Sequence, residues 1–226
     1  MVLTFALPKE ALQGFLPPPL ELDTFEDKWA FLAVAMVRTT ALRPKGFPKF
    51  MGNNFFLIGY RIFVRHTNSA GKRLRGLYIL KSETDRRKMQ LMGNIFTHYN
   101  YTTTDISEAT EAGKRIIASR KSDFKVVLDS SAEETPLPAH SPFPDWKTAR
   151  RFAGPLPFTF TYDAVAGTVL TIEGVRQNWT PKPLQIESYH FAFLEKMGLE
   201  NAVLANAFEI TDVPYWWKKG KVESWP

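Results

Sequence analysis

The sequence predicts a mainly β protein: an antiparallel barrel or sandwich with a few decorating helices. Three observations carry this. Phe55 to Thr67 alternates without a break, with Phe56, Ile58, Tyr60, Ile62 and Val64 on one face and Leu57, Gly59, Arg61, Phe63 and Arg65 on the other. Asn68-Ser69-Ala70-Gly71 then reads as a hairpin turn by composition, and Leu74 to Lys81 returns antiparallel. Beyond it, short strand patterns recur between turns, with no βαβ alternation and no glycine-rich nucleotide loop.

The elements follow in order. Pro17-Pro18-Pro19 ends the N-terminal segment, and Leu20 to Phe25 leads into a long strand over 28–42. Trp29, Phe31, Ala33, Ala35 and Val37 share one face of that strand, and Leu32, Val34 and Met36 the other. A strand apolar on both sides must be covered on both. Ser82 with Asp85 matches a capping box, so a helix is expected to start there, with Glu83 and Asp85 complementing its dipole. Met89, Met92 and Phe96, with Leu91 and Ile95, form its apolar side. Thr97 to Asp105 reads as extended, helped by three consecutive threonines. Further strands are expected over 114–119, 124–128, 158–162, 168–175, 185–193 and 207–213. A short helix is expected over 145–152 and a helical turn near 194–204.

The 226 residues read as one domain, 1–226, and 44% apolar with 14% aromatic content is that of a globular core. There is no cysteine, which excludes disulfides, thiolate metal sites and cysteine nucleophiles. The N-terminus lacks a basic leader, and the longest apolar run, Trp29 to Val37, is about half of the ~20 residues a bilayer requires. A cytoplasmic protein without membrane contact is therefore expected, and the sequons at Asn100 and Asn178 read as chance matches. The net charge of +6 is scattered along the chain rather than gathered on one element. That speaks against nucleic acid as a partner and suits a small anionic ligand.

Several blocks carry a family resemblance. Leu16-Pro17-Pro18, then Leu20-Glu21-Leu22-Asp23-Thr24-Phe25, then Tyr60-Arg61-Ile62-Phe63-Val64-Arg65 and Arg75-Gly76-Leu77-Tyr78 resemble an uncharacterised bacterial group related to acetoacetate decarboxylase. The resemblance covers roughly residues 15–105. It implies a cone-shaped, closed antiparallel β-barrel with one internal cavity. In acetoacetate decarboxylase a lysine forms a Schiff base with the keto acid, and a second lysine lowers its pKa. Laid on this chain, that motif falls on 93–102, and Tyr101 and Thr102 stand where the lysine pair belongs. Neither forms an imine. No lysine occurs between Lys88 and Lys114, and the nearest amines, Lys81 and Lys88, read as solvated.

Candidate site residues follow from the same block. His98 and Asn100 share one face of the expected strand, and Tyr99 and Tyr101 the other. His98, titrating near neutrality, is the candidate general base, with Tyr101 a second proton carrier. Arg61 and Arg65 share a face, and an arginine in a cavity binds a carboxylate bidentately. Trp179 follows a strand and is placed at a pocket rim. Each has a plainer alternative: a packed aromatic, a hydrogen-bonded histidine, an outward polar face. Tyr215-Trp216-Trp217 reads as a barrel plug or a homodimer contact. No metal is expected, since His66, His98, His140 and His190 lie far apart, and no cofactor motif is present.

The leading expectation is a protein that binds a small, partly apolar organic acid or keto compound in the barrel cavity without Schiff-base catalysis. Arg61, Arg65, His98, Asn100, Tyr101 and Trp179 are the expected contacts. The alternative is a lysine-independent acid–base enzyme, a lyase or hydrolase, acting on a small carbonyl or carboxylate substrate. A basic surface that binds nucleic acid is a third, weaker reading.

Overall fold

The computed structural model describes residues 1–42, 48, 52–129, 135–176, 180–211 and 213–225. β1 (Val2–Pro8) and α1 (Lys9–Gln13) precede β2 (Glu21–Leu22) and the long β3 (Trp29–Leu42), β4 (Asn53–Thr67) and β5 (Arg73–Thr84). Helix α2 (Arg87–Thr97) leads to β6 (Tyr101–Thr103), β7 (Ser107–Glu111), β8 (Lys114–Ser119) and β9 (Phe124–Asp129). After α3 (Trp146–Ala153) come β10 (Phe158–Asp163), β11 (Thr168–Arg176), β12 (Lys182–Pro183) and β13 (Gln185–Phe191). Helix α4 (Ala192–Lys196), β14 (Val203–Glu209), β15 (Tyr215–Trp217) and β16 (Lys221–Ser224) complete the chain.

The mainly β class holds, but the closed cone does not. The main sheet runs β12-β14-β1-β3-β4-β5-β10-β11-β15, with β16 on β11, β2 on β4 and β6 on β5. Its terminal strands β12 and β15 do not pair with each other among the described residues, so the sheet is open. Closure needs long edges with free donors. β12 is only two residues, and one is Pro183, which has no N–H to give. A separate sheet, β13-β9-β8-β7, packs Phe124, Val126 and Leu128 into the same core as Leu32, Val34, Ile58 and Ile62. Nor is the pairing wholly antiparallel, because β6 and β10 both run parallel to β5. β5, α2 and β6 thus form one βαβ unit, where none was expected.

Strand β3 is buried on both sides, as its sequence demands. Leu32, Val34 and Met36 enter the core shared with the small sheet, while Phe31 and Ala33 meet Phe63, Phe143 and α3 on the other side. Phe31 and Phe63 are almost wholly shielded, and burying such a ring contributes ~1.5–3 kcal/mol. The expected turn at 68–71 forms: Lys72 N–H donates to the Asn68 side chain at 2.8 Å, and Gly71 supplies the positive φ of 73°. Helix α3 forms one residue later than expected, capped by Asp145, whose carboxylate accepts from Thr148 N–H at 2.6 Å. β1, a strand the sequence pattern does not announce, fills the gap between β3 and β14 with its buried Leu3, Phe5 and Leu7.

The helix expected at Ser82 begins five residues later. Residues 82–84 continue β5, pairing Ser82 with Gly59, Glu83 with Ile58 and Thr84 with Leu57. Asp85 serves the sheet edge rather than a helix end, accepting from Phe56 N–H at 2.8 Å. Ladder pairing with β4 outweighs a local capping box, because β4 offers partners along its whole length.

Candidate functional site

The second half of β5 faces a cleft because of one extra residue. Tyr60 pairs with Lys81 and Arg61 with Ile79, so Leu80 bulges out of the β4–β5 ladder. Before the bulge, odd-numbered β5 residues such as Leu77 and Ile79 share the Arg61 side. After it, the odd-numbered Lys81 and Glu83 turn to the Tyr60 side. There they line a cleft of about 800 Å³ together with α2, β6, the turn after β8 and α4.

The floor of the cleft is an ion pair. Lys81 Nζ lies 2.7 Å from Glu83 Oε1 and 5.0 Å from the centre of the Phe193 ring. The Glu83 side chain is 1% exposed and also accepts from Ser122 Oγ at 2.6 Å. Tyr60 O–H donates to Glu83 Oε2 at 3.4 Å. Burial first, then the Glu83 charge, push the Tyr60 phenol well above its ordinary pKa, so it remains a donor. Lys81, expected in solvent, is engaged by Glu83; Lys88 is exposed on α2, as expected.

Around this pair the lining is basic. Arg87, Lys121 and Lys196 join Lys81, against Glu83 as the one acidic lining residue among the described residues. One wall is apolar: Leu91 and Ile95 of α2 are 65% and 59% exposed and line the cleft with Phe193. The expected apolar side of α2 is therefore split, with Met89 packed inward among Tyr99, Tyr101 and Ile172. Helix and strand are held at a fixed distance. Asn94 accepts from Tyr101 N–H at 2.6 Å and donates to Tyr101 O at 3.0 Å, and Thr103 donates to Gln90. The turn carrying Lys121 and Ser122 is tied to Asp105, which accepts from Ser119 Oγ at 2.6 Å and Lys121 N–H at 2.9 Å. Those bonds hold the Asp105 carboxyl down at about 2.

Of the residues expected at the site, the described ones, Arg61, Arg65, His98, Asn100 and Tyr101, do not line this cleft. Arg61 is on the opposite face of the sheet from the cleft, and its Nε is buried without a hydrogen bond. Arg65 is engaged 2.6 Å from Asp23, a fully buried carboxylate that Arg75 holds from its other side at 2.5 Å. His98 and Asn100 are exposed and adopt positive φ of 54° and 53°, so 97–100 is not a strand. His98 ends α2 as a left-handed cap, and Asn100 donates to Leu80 O at 3.5 Å. The Tyr101 ring is buried against Gly93, where an added Cβ would meet it at 2.3 Å. The chain brings Thr102 and Thr103, not Tyr101, to the cleft wall. Trp179 lies outside the described residues. Trp216 is 43% exposed, while Trp217 packs near Ile172 and Leu170. Lys81, Glu83 and Ser122 had no signal in the sequence, since all three stand among other polar residues in 81–88 and 119–123. Among the described residues no helix is long and apolar enough to cross a membrane.

Three solved structures share this fold. Acetoacetate decarboxylase from Legionella pneumophila superposes with a TM-score of 0.62 at 14% identity, covering 99% of this chain and 84% of that one. A second acetoacetate decarboxylase gives 0.59 at 11% identity, over 99% and 86%. The enduracididine biosynthesis enzyme MppR gives 0.54 at 9% identity, over 99% and 85%. A comparison with curated proteins finds no match. A family model, DUF2071, described as an uncharacterized conserved protein, matches residues 1–214.

Proposed function

The chain belongs to the DUF2071 family, and from that premise we propose that its cleft binds a small, partly apolar organic acid or keto compound without forming an imine. One observation carries the reading: four cationic side chains and one buried carboxylate surround a space of about 800 Å³ that also has an apolar wall. Ligand sites occupy roughly 300–1,000 Å³ and combine a few placed polar groups with apolar lining. An acid satisfies both, its carboxylate among Lys81, Arg87, Lys121 and Lys196 and its carbon chain against Leu91, Ile95 and Phe193. Fold relatives named as acetoacetate decarboxylases act on a keto acid, which fits the same charge pattern. The sequence resemblance lays Tyr101 and Thr102 where the lysine pair of acetoacetate decarboxylase belongs, and neither forms an imine. Lys81 Nζ, the amine that lines the cleft floor, is paired with the Glu83 carboxylate at 2.7 Å.

The test pairs binding with trapping. Short-chain carboxylates and 2- and 3-oxo acids are expected to raise the melting temperature, while the matching amides do not. Lys121→Gln and Lys196→Gln are expected to weaken that effect. Borohydride reduction in the presence of keto acids is expected to leave the intact mass unchanged, under conditions that trap an authentic acetoacetate decarboxylase. A stoichiometric adduct on Lys81 overturns the imine-free reading. Indifference of the melting temperature to every acid overturns the ligand class.

A further inference from the structure

Besides its contact with the cleft, Glu83 is joined to a surface carboxylate by a run of side-chain hydroxyls. Ser122 Oγ lies 2.6 Å from Glu83 Oε1, Thr104 Oγ1 2.6 Å from Ser122 Oγ, and Ser119 Oγ 2.8 Å from Thr104 Oγ1. Ser119 Oγ in turn lies 2.6 Å from Oδ1 of Asp105, an exposed residue. Thr104 and Ser119 are buried at 6% and 4% exposure. Every link is a hydroxyl, which both donates and accepts, so the chain can reverse direction by rotating O–H bonds. The same bonds tie down the turn that carries Lys121 and Ser122, and they also give the Glu83 carboxylate a continuous hydroxyl path to a second carboxylate at the surface.

We infer that Glu83 is the proton carrier of the cleft, exchanging a proton between the carbon next to a bound carbonyl and solvent through Ser122, Thr104, Ser119 and Asp105. This rests on the reading that the cleft holds a keto compound. The chemistry balances without a co-reactant. The Glu83 carboxylate takes the proton; the C–H electron pair moves onto the carbonyl oxygen as an enolate. Lys81, 2.7 Å from the carboxylate, supplies the positive charge that the developing oxyanion requires. Glu83 passes its proton to Ser122 Oγ as Ser122 passes its own to Thr104, Thr104 to Ser119, and Ser119 to Asp105, which releases it to water. Return of a solvent proton along the same path to the carbon regenerates the keto compound. The net change is exchange of a carbon-bound hydrogen for one from solvent. The sequence reading gave this role to His98 or a tyrosine.

The experiment is proton NMR of pyruvate and 2-oxobutanoate in D₂O with the intact protein. Loss of the signal next to the carbonyl is followed over the buffer rate, and saturation transfer in the same tube reports binding. The wild type is expected to accelerate exchange. Glu83→Gln is expected to lose it by on the order of 100-fold, the scale of a general base. Thr104→Val keeps shape and breaks the relay at its middle; it is expected to slow exchange about ten-fold with unchanged binding. Melting curves show whether each variant is folded, and Thr104→Val decides the question if Glu83→Gln is not. Binding without wild-type exchange overturns the inference and leaves the binding reading intact. Absence of binding overturns the keto-compound reading and the inference with it. Exchange at the wild-type rate in folded Glu83→Gln overturns the role of Glu83, and in Thr104→Val it overturns the relay.

Discussion

Tyr60 lies opposite Lys81 in the β4–β5 ladder, whereas its neighbour Arg61 lies opposite Ile79. That one-residue offset at Leu80 decides which charged groups meet the cleft. Without it, Lys81 and Glu83 would continue the face of Leu77 and Ile79, and the cleft would lose the ion pair of its floor, though Arg87, Lys121 and Lys196 would remain. Bulges commonly re-aim side chains beside functional sites, and this one reverses the parity of the strand for its last four residues.

Lys81→Met is expected to weaken acid binding and to lower stability. The Glu83 side chain is 1% exposed, and without its cation it keeps, among the described residues, Ser122 and a long contact to Tyr60. Leaving a buried charge unpaired costs several kcal/mol, but the Lys81 side chain is 26% exposed and the pair is partly screened. About 1–3 kcal/mol remains, which for a chain of this size is roughly 3–10 °C in melting temperature. Loss of a charge-assisted hydrogen bond to the ligand corresponds to ~10–100-fold in Kd. Calorimetry on the variant reads both.

Arg61→Met is expected to leave acid binding unchanged and to hold or raise the melting temperature. Its Nε is buried without a partner, and exchanging an unsatisfied polar group for an apolar one removes a desolvation cost of about 1–3 kcal/mol. The side chain stands behind the sheet, away from the cleft. A tenfold loss of acid affinity in this variant would place the ligand on the other face.

These two residues show where sequence reading succeeds and where it stops. β3 and β4 were legible because alternation over 14 and 15 residues has one solution. The bulge was not, since Leu77, Tyr78, Ile79 and Leu80 are all apolar and give no sign of a parity change. Ser82 to Asp85 resembled a helix start, and only the register with Leu57 to Gly59 shows that it is sheet. His98 to Tyr101 resembled a strand with a polar face. The exposure of His98 and Asn100 was consistent with alternation, but two left-handed residues produce it. An open sheet instead of a closed cone depends on two short edge strands far apart in sequence. The acetoacetate-decarboxylase-like fold was legible through family resemblance, whereas the side chains that converge on its cleft were not.

Gly93→Ala is expected to destabilise. Alanine in a helix interior gains up to about 1 kcal/mol over glycine. Here the new Cβ would stand 2.3 Å from the Tyr101 ring, which is buried and held by Asn94 through its own backbone. Overpacking of this kind costs typically about 1–3 kcal/mol, so the clash outweighs the propensity. A melting temperature raised by the substitution would mean that α2 is free to lift away from β6.

Asp23→Ala is expected to cost about 3 kcal/mol or more, the scale of breaking a buried ion pair. The carboxylate is fully buried between Arg65 and Arg75, and Arg75 also donates to Phe152 O at 3.0 Å. Removing Asp23 leaves two guanidinium groups side by side with no anion between them. Arg65→Lys is expected to retain part of the loss, since a point charge does not reproduce the planar fork. Urea denaturation separates the two variants, and equal stability of Asp23→Ala and wild type would show that the triad contributes nothing.

Asp105 predicts a specific acid response. Its carboxyl is held at about 2 by Ser119 O–H and Lys121 N–H, below the value of about 4 expected for an unfolded chain. A group whose folded pKa is depressed contributes stability that is complete above its unfolded pKa and is lost as pH falls through the folded one. The contribution of Asp105 is therefore full at neutral pH, declines below about pH 4 and is gone near pH 2. Asp105→Asn is expected to flatten the melting temperature between pH 4 and pH 2 and to lower it at pH 7. The same substitution loosens the turn that presents Lys121 and Ser122, so acid affinity at pH 7 is expected to fall as well. A variant with the wild-type pH profile would assign the hold on that turn to the Ser119–Thr104–Ser122 hydroxyls alone.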